Sequence, residues 1–311
     1  MANYIAIDGG TTNTRVSLIC NNAIRATKKR SIGVGQRDIV ALKNAIKTAI
    51  AELLAENRLE EKEIEHILAS GMITSEYGLC HLPHITAPAG IKDLHNAMCE
   101  TVIEDISAIP FVFIRGVKTA GSDLDEVDMM RGEETELMGM LEARQESCLY
   151  VLPGSHSKHI SVDKHGDMVD FRTMMTGELF AAVMQHTILR DAANFEQNEI
   201  CETELFNGFF YAQKRGVNEA LFKTRILKTM FGGTSEQCYS FLLGCVLCDE
   251  VEAILQAKEK VVILGGQKQF RIALAILLKQ VSDKRIVVLS DSEVESSTSL
   301  GAIQIFEFCE T

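Results

Sequence analysis

Tyr4-Ile5-Ala6-Ile7-Asp8 is an apolar run that ends on a carboxylate and Gly9-Gly10, the pattern of a buried strand entering a turn. Arg15 to Cys20 and Ala23 to Ser31 read as second and third strands, so the chain opens as an antiparallel meander. From Arg37 to Asn57 the apolar positions Ile39, Leu42, Ile46, Ile50 and Leu53 recur every three or four residues, which predicts an amphipathic helix. A strand at Ile64 to Ala69 follows, then a region punctuated by glycine and proline through Gly90, a short helix near Leu94 and a strand at Phe111 to Ile114.

The second half repeats the plan. A helix is expected to start near Arg131, because Glu133, Glu134 and Glu136 in its first turns suit the positive end of a helix dipole. The strand Cys148 to Leu152 runs into Pro153-Gly154, and His159 to Val162 and Met168 to Arg172 are joined across a Lys164-His165-Gly166 turn. Helices then dominate from Thr203 to Gln256, with Thr234 to Gln237 matching a capping box and Phe241 to Ile254 reading as one apolar helical segment. Val261 to Leu264 is a buried strand ending in Gly265-Gly266 and leading into a helix to Lys279. A strand at Ile286 to Leu289 and a helix from about Ser296 complete the pattern.

Length and charge narrow the reading. At a prior of roughly 150 residues per domain, 311 residues predict two domains. Residues 1–130 are expected to form the first, joined by the terminal helix 296–311, and residues 131–295 the second. The formal charge of −12 excludes whole-surface binding of nucleic acid or anionic membranes, so any anionic ligand must be held at a local site. No apolar run reaches the roughly 18 residues of a membrane span, and apolar alternation from Tyr4 with no basic region before it argues against a leader. Nine scattered cysteines fit free thiols in a reducing cytoplasm, and Cys245-x-x-Cys248, inside an apolar helix and without a second pair, reads as core packing.

Candidate chemistry lies at three strand-to-glycine junctions: Asp8-Gly9-Gly10-Thr11-Thr12-Asn13, Pro153-Gly154-Ser155-His156-Ser157-Lys158 and Leu264-Gly265-Gly266. Glycine lets a phosphate oxygen approach backbone N–H groups, and hydroxyl and amide side chains add donors. Asp8, at a strand end, is the natural holder of Mg²⁺ through water. The G-x-x-x-x-G-K-[ST] loop, the G-x-G-x-x-G fingerprint and the protein-kinase segments are all absent.

Three junctions in two halves that each begin as a meander resemble the actin, hexokinase and heat-shock ATPase superfamily. Within it, the segments Asp8 to Arg15, Met130 to Leu137, Leu149 to Lys158 and Asp170 to Leu179 are similar to those of the 2-dehydro-3-deoxygalactonokinases. Gly9 departs from the family, which commonly carries Trp there. The resemblance implies an α/β protein of two ribonuclease H-like domains flanking a central cleft, with ATP and Mg²⁺ as cofactors and a 2-keto-3-deoxy sugar acid as substrate. It implies phosphate and adenosine contacts from Asp8, Gly9, Gly10, Thr11, Thr12, Asn13, Gly154, Ser155, His156, Lys158, Gly265 and Gly266.

Phosphoryl transfer needs a carboxylate to take the acceptor's proton. Glu134 is the first choice, with Glu133 beside it and Asp170 as rival, because related sugar kinases place their catalytic acid at such a helix start. The sugar carboxylate needs a cation, for which Arg15, Arg131, Lys158 and Arg172 are candidates. Ser70, Gly71, Met72, Ala89 and Gly90 resemble positions that line the family's sugar pocket. His156 is expected to orient its turn. The expected activity is ATP-dependent phosphorylation of 2-dehydro-3-deoxy-D-galactonate to its 6-phosphate. A kinase of another small sugar and a non-kinase ATPase switch are the alternatives, and the oligomeric state is left open, a homodimer included.

Overall fold

The computed structural model describes residues 2–141, 146–192 and 199–309. Backbone contacts divide the chain into two compact units, one of Met1–Gln145, Asp163–Asp170 and Asp291–Thr311, the other of Glu146–Val162 and Phe171–Ser290.

The first unit is built on β1 (Asn3–Gly9), β2 (Thr14–Cys20), β3 (Ala23–Arg30), α1 (Ile39–Asn57) and β4 (His66–Gly71). There follow β5 (Ile85–Thr86), α2 (Ile91–Asn96), β6 (Cys99–Ile103), β7 (Ser107–Phe113), β8 (Val117–Lys118), β9 (Met129–Met130) and α3 (Glu133–Met140). Six strands form one sheet in the order β3-β2-β1-β4-β7-β6, in which β1 is antiparallel to β2 and parallel to β4, and β4 is parallel to β7. Inward residues of the strands, Ile5, Ile7, Val16, Leu18, Ile67, Phe111 and Phe113, bury against Leu42, Ile46, Ile50 and Leu53 of α1. That is the helical stripe expected from the sequence. Asp38 caps α1, its carboxylate accepting the Ala41 N–H at 2.9 Å. Register sets Asp8 level with Ser70 and Gly9 level with Gly71, so the carboxyl ends of two parallel strands finish together.

The second unit contains β10 (Cys148–Leu152), β11 (Ser157–Val162), the larger part of β12 (Met168–Met174), α4 (Thr176–His186), α5 (Glu202–Arg215), α6 (Val217–Phe231), α7 (Ser235–Val246) and α8 (Cys248–Gln256). It is completed by β13 (Val261–Leu264), α9 (Lys268–Val281) and β14 (Arg285–Val288), after which α10 (Asp291–Phe306) returns to the first unit. Its sheet runs β12-β11-β10-β13-β14, with β10 antiparallel to β11 and β13 parallel to both β10 and β14. Each unit thus carries an antiparallel meander whose first strand is extended by two parallel strands, the ribonuclease H-like arrangement.

Four details depart from the sequence reading. The first unit runs past residue 130 and takes in α3, which packs along α10. Helix α10 starts at Asp291, before Ser296, because Asp291 and Glu293 in its first turn suit the dipole although they interrupt the apolar pattern. The segment Phe241 to Ile254 is two helices, α7 and α8, separated at Leu247. Strand β6 and the small sheet β5-β8-β9 carry no period that the sequence reveals. Cys245 and Cys248 are buried, and burial pushes both thiols up, Cys248 to about 12, so neither is a thiolate at neutral pH. Among the described residues no helix is long and apolar enough to cross a membrane.

Candidate active site

In the first unit the carboxyl ends of β1 and β4 meet the start of α3. Gly71 and Gly132 both have left-handed φ, +84° and +114°, and a Cβ on Gly132 would lie 3.1 Å from the Gly71 Cα. A Cβ on Gly71 would in turn lie 2.7 Å from the Gly9 carbonyl oxygen. The backbones therefore touch, and the touch brings the acidic first turn of α3 to the strand ends that carry Asp8 and Gly9. A side chain at Gly9 would strike Ile73, its Cβ 2.6 Å from that of Ile73, so the Trp common in the family has no room in this chain.

Burial pushes the Asp8 carboxyl up, with Arg15 opposing the shift and Glu133 adding to it. The loop after Asp8 is tight: the Gly10 N–H donates to the Asn13 carbonyl at 2.9 Å, and Val34 and Gly35 N–H groups donate to the Gly10 and Thr11 carbonyls at 3.1 and 2.8 Å. Thr11, Thr12 and Asn13 are left exposed at its tip. The supporting segment Gly33-Val34-Gly35 escaped sequence reading, although two glycines around a valine signal a close backbone approach.

The three glutamates of α3 differ in environment. Glu134 is fully buried. Its two oxygens accept the Gly132 N–H at 2.9 and 2.8 Å, and one also accepts the Thr135 hydroxyl at 3.1 Å. Burial and the neighbouring Glu133 push its pKa up to about 7. Glu133 is half-buried and accepts the Arg131 N–H at 3.0 Å. Glu136, for which sequence reading gave only a helix-start role, is pushed up to about 8 by burial, then by Glu133 and Asp8, with Arg15 pulling the other way. Its signal was the three-residue spacing from Glu133, which sets both on one helix face.

Arg131 is already engaged. Its Nη1 donates to the Thr74 carbonyl at 2.8 Å and to the Thr74 hydroxyl, and its Nη2 to the Leu82 carbonyl at 3.1 Å and to His84 Nδ1 at 3.4 Å. Burial, then Arg131, pushes His84 down to about 4, so its neutral ring accepts. A guanidinium with both terminal nitrogens given to protein acceptors is a brace for the loop behind it, not the open fork a sugar carboxylate needs.

Of the expected pocket residues, Ser70, Gly71 and Met72 adjoin Asp8 and Gly9, Ser70 being buried. Ala89 instead exchanges backbone hydrogen bonds with Met168 at 3.1 and 2.9 Å, and Gly90 caps α2 through the Asp93 carboxylate. Both are committed to structure. Arg115, missed in the sequence, lies two residues past Phe113, the last residue of β7, which pairs with Ala69 of β4. Its Nε is buried without a hydrogen-bond partner among the described residues. An arginine just past a strand end is a weak local signal.

In the second unit the turn Gly154-Ser155-His156 joins β10 to β11. The side of Gly154 that a Cβ would occupy is open, the nearest atom being Gln267 Nε2 at 3.9 Å, and Ser155 and His156 are exposed. His156 Nε2 lies 3.3 Å from Glu178 on α4. Lys158 is buried, its Nζ donating to Thr173 at 2.7 Å. Gly265 gives its N–H to the Val151 carbonyl at 2.9 Å, which stitches the third junction to the second, and the Gly266 carbonyl accepts from Arg271 at 2.8 Å. Asp170 and Arg172 lie on the exposed face of β12, on either side of buried Phe171.

The family model described as 2-keto-3-deoxy-galactonokinase matches residues 8–293. The chain is 29% identical to 2-dehydro-3-deoxygalactonokinase from Escherichia coli (strain K12) over 81% of this chain and 80% of that one. It is 30% identical to a probable 2-dehydro-3-deoxygalactonokinase from Rhizobium meliloti (strain 1021), over 61% of this chain and 58% of that one. Among solved structures, one of a protein described as a putative 2-dehydro-3-deoxygalactonokinase from Sinorhizobium meliloti superposes with a TM-score of 0.76 at 24% identity, over 98% of this chain and 100% of that one. The component A of (R)-2-hydroxyglutaryl-CoA dehydratase from Acidaminococcus fermentans shares the fold at a TM-score of 0.51 and 15% identity, over 97% and 96% of the two chains.

Proposed function

Because the chain belongs to the 2-keto-3-deoxy-galactonokinase family, we propose that it transfers the terminal phosphoryl group of ATP to 2-dehydro-3-deoxy-D-galactonate, giving the 6-phosphate. Membership makes it a sugar-acid kinase, and kinases of this fold use ATP. The observation that carries the reading to particular residues is the contact of Gly71 with Gly132, which joins the Asp8 turn to a helix start bearing three carboxylates.

The exposed tip residues Thr11 to Asn13, with their hydroxyl and amide groups, and the open side of the Gly154 turn suit phosphate oxygens. Asp8 would hold Mg²⁺ through water, and the ion would neutralise phosphate charge. No group of three ligands for a bare ion occurs among the described residues, which fits a cation that keeps its hydration and rides on phosphate.

Glu133 is the better base. A base must reach the acceptor hydroxyl within hydrogen-bond distance, and Glu134 has no exposed surface to offer it, whereas Glu133 has. Glu134 then secures the start of α3. For the sugar carboxylate, Arg115, a partly exposed arginine just past the end of β7, is the cation we put in place of Arg131, whose terminal nitrogens are taken.

The test is ADP release from Mg-ATP with a panel of keto-deoxy sugar acids, simple aldonates and neutral hexoses. Turnover on 2-dehydro-3-deoxy-D-galactonate above all others is expected. No release above background on any sugar acid overturns the reading.

A further inference from the structure

We propose that Arg37 and Tyr77 form a clasp that fixes the turn after Asp8, and that Arg37, acting through that turn, is a positioning residue for ATP. This rests on the reading of the turn as a phosphate site.

The turn is held from two sides. On one, Gly9 lies against Ile73, so closely that a Cβ at Gly9 would come 2.6 Å from that of Ile73. The Ile73 carbonyl accepts the Leu79 N–H at 2.8 Å, and a Cβ on Gly78 would overlap the same oxygen. Met72 to Leu82 is thus folded back onto the end of β1, and Arg131 braces it at Thr74 and Leu82. Tyr77 projects from this braced segment with its ring exposed.

On the other side runs a strap, Gly33 to Arg37. Its Val34 and Gly35 N–H groups hold the Gly10 and Thr11 carbonyls, and a Cβ on Gly33 would overlap the Thr11 oxygen. The strap closes on itself where the Arg37 N–H donates to the Val34 carbonyl at 3.0 Å. Arg37 has a left-handed φ of +54°, a conformation that glycine or asparagine adopts more readily. What an arginine adds there is reach: its Cζ stands 4.3 Å from the centroid of the Tyr77 ring, in range for a cation–π contact.

That contact closes a circuit. From Gly9 it passes through Ile73 to Tyr77, across the ring to Arg37, and back along the strap to Thr11. A turn inside a closed circuit of contacts has fewer conformations to lose when it receives phosphate, so its ligand binds more tightly. Neither residue lies in a segment that resembles a kinase motif, and both side chains are exposed, so the core does not depend on them.

The experiment measures Mg-ATP affinity by calorimetry without sugar acid, KM for each substrate and Tm in wild type, Arg37→Asn, Tyr77→Leu, their double variant and Tyr77→Phe. Asparagine suits the left-handed φ but removes the cation, and phenylalanine keeps the ring. Arg37→Asn and Tyr77→Leu are each expected to weaken ATP about two- to fivefold, the worth of an exposed cation–π contact, with KM for the sugar acid and Tm unchanged. The double variant should lose no more than the worse single, and the conservative Tyr77→Phe should restore wild-type ATP affinity. Wild-type affinity in Arg37→Asn or Tyr77→Leu, additive losses, a Tyr77→Phe as weak as Tyr77→Leu, or equal weakening of both substrates would overturn the proposal. Wild type that binds no Mg-ATP would overturn the phosphate reading and the proposal with it. Wild type that binds Mg-ATP yet releases no ADP with any sugar acid overturns the kinase reading alone, and leaves the calorimetric comparison to decide on the clasp.

Discussion

Both oxygens of the Glu134 carboxylate converge on the single N–H of Gly132, at 2.9 and 2.8 Å. Gly132 is also the residue whose backbone abuts Gly71. Glu134 therefore fixes the peptide that sets the height of α3 above the strand ends, while Glu133, one residue earlier, faces partly outward.

The two glutamates should separate in kinetics. Glu133→Gln is expected to lower kcat by about 10²- to 10⁴-fold, the usual worth of a general base, with ATP affinity retained. Glu134→Gln keeps an oxygen for the Gly132 N–H and should lose less than about tenfold. Steady-state kinetics with parallel ATP binding checks this; a dead Glu134→Gln beside an active Glu133→Gln would reverse the assignment.

Stability should fall as pH rises through neutrality. Glu134 and Glu136 have folded pKa values of about 7 and about 8, against 4.5 as the ordinary value. Between these limits the folded chain holds protons that the unfolded chain has released, so their stabilising contribution is complete below 4.5 and is lost as pH passes 7 to 8. Tm measured from pH 5 to 9 without added nucleotide should decline less steeply in Glu134→Gln than in wild type. Parallel curves would show that Glu134 ionises without cost.

Gly132→Ala combines a left-handed φ with a Cβ 3.1 Å from Gly71. A loss of about 1–3 kcal/mol in denaturant unfolding is expected, together with reduced kcat. An unaltered variant would mean that the α3 start can shift away from β4 freely.

The two arginines should differ in kind. Arg131→Met removes the brace on Thr74, Leu82 and His84 and should lower Tm and kcat together, for sugar acid and neutral analogue alike. Arg115→Met should raise KM for the sugar acid by about tenfold or more, leave KM for ATP unchanged and erase the preference for an acid over its neutral analogue. A KM effect confined to Arg131→Met would restore that residue as the carboxylate partner.

Much of the architecture was legible because it is periodic. The apolar run from Tyr4 to Ile7 follows from burial of both faces of a strand and the stripe from Leu42 to Leu53 from burial of one face of a helix, and both recur in the structure. The strand-to-glycine junctions were legible because a chemical requirement, bare backbone, maps onto one residue type. What could not be read was proximity between distant segments. Nothing local in Gly71 or Gly132 marks them as a pair, and Glu250 sits in a plain amphipathic helix whose one polar inward position is explained only by His159, a strand away. The glutamates of α3 were found by residue type, but their order of usefulness depends on which is sealed from solvent, a property of packing and not of spacing.

The touching backbones of Gly71 and Gly132 amount to a gauge with no adjustable part. Two side chains in contact could repack through other rotamers and move the helix by fractions of an ångström; two peptide backbones meet at van der Waals distance and stop. The separation between the carboxylates of α3 and the Asp8 turn is thus one length, insensitive to rotamer choice in the surrounding core. Changes in which acceptor is phosphorylated must come from the loops around that gauge, since the gauge itself has no side chain to vary.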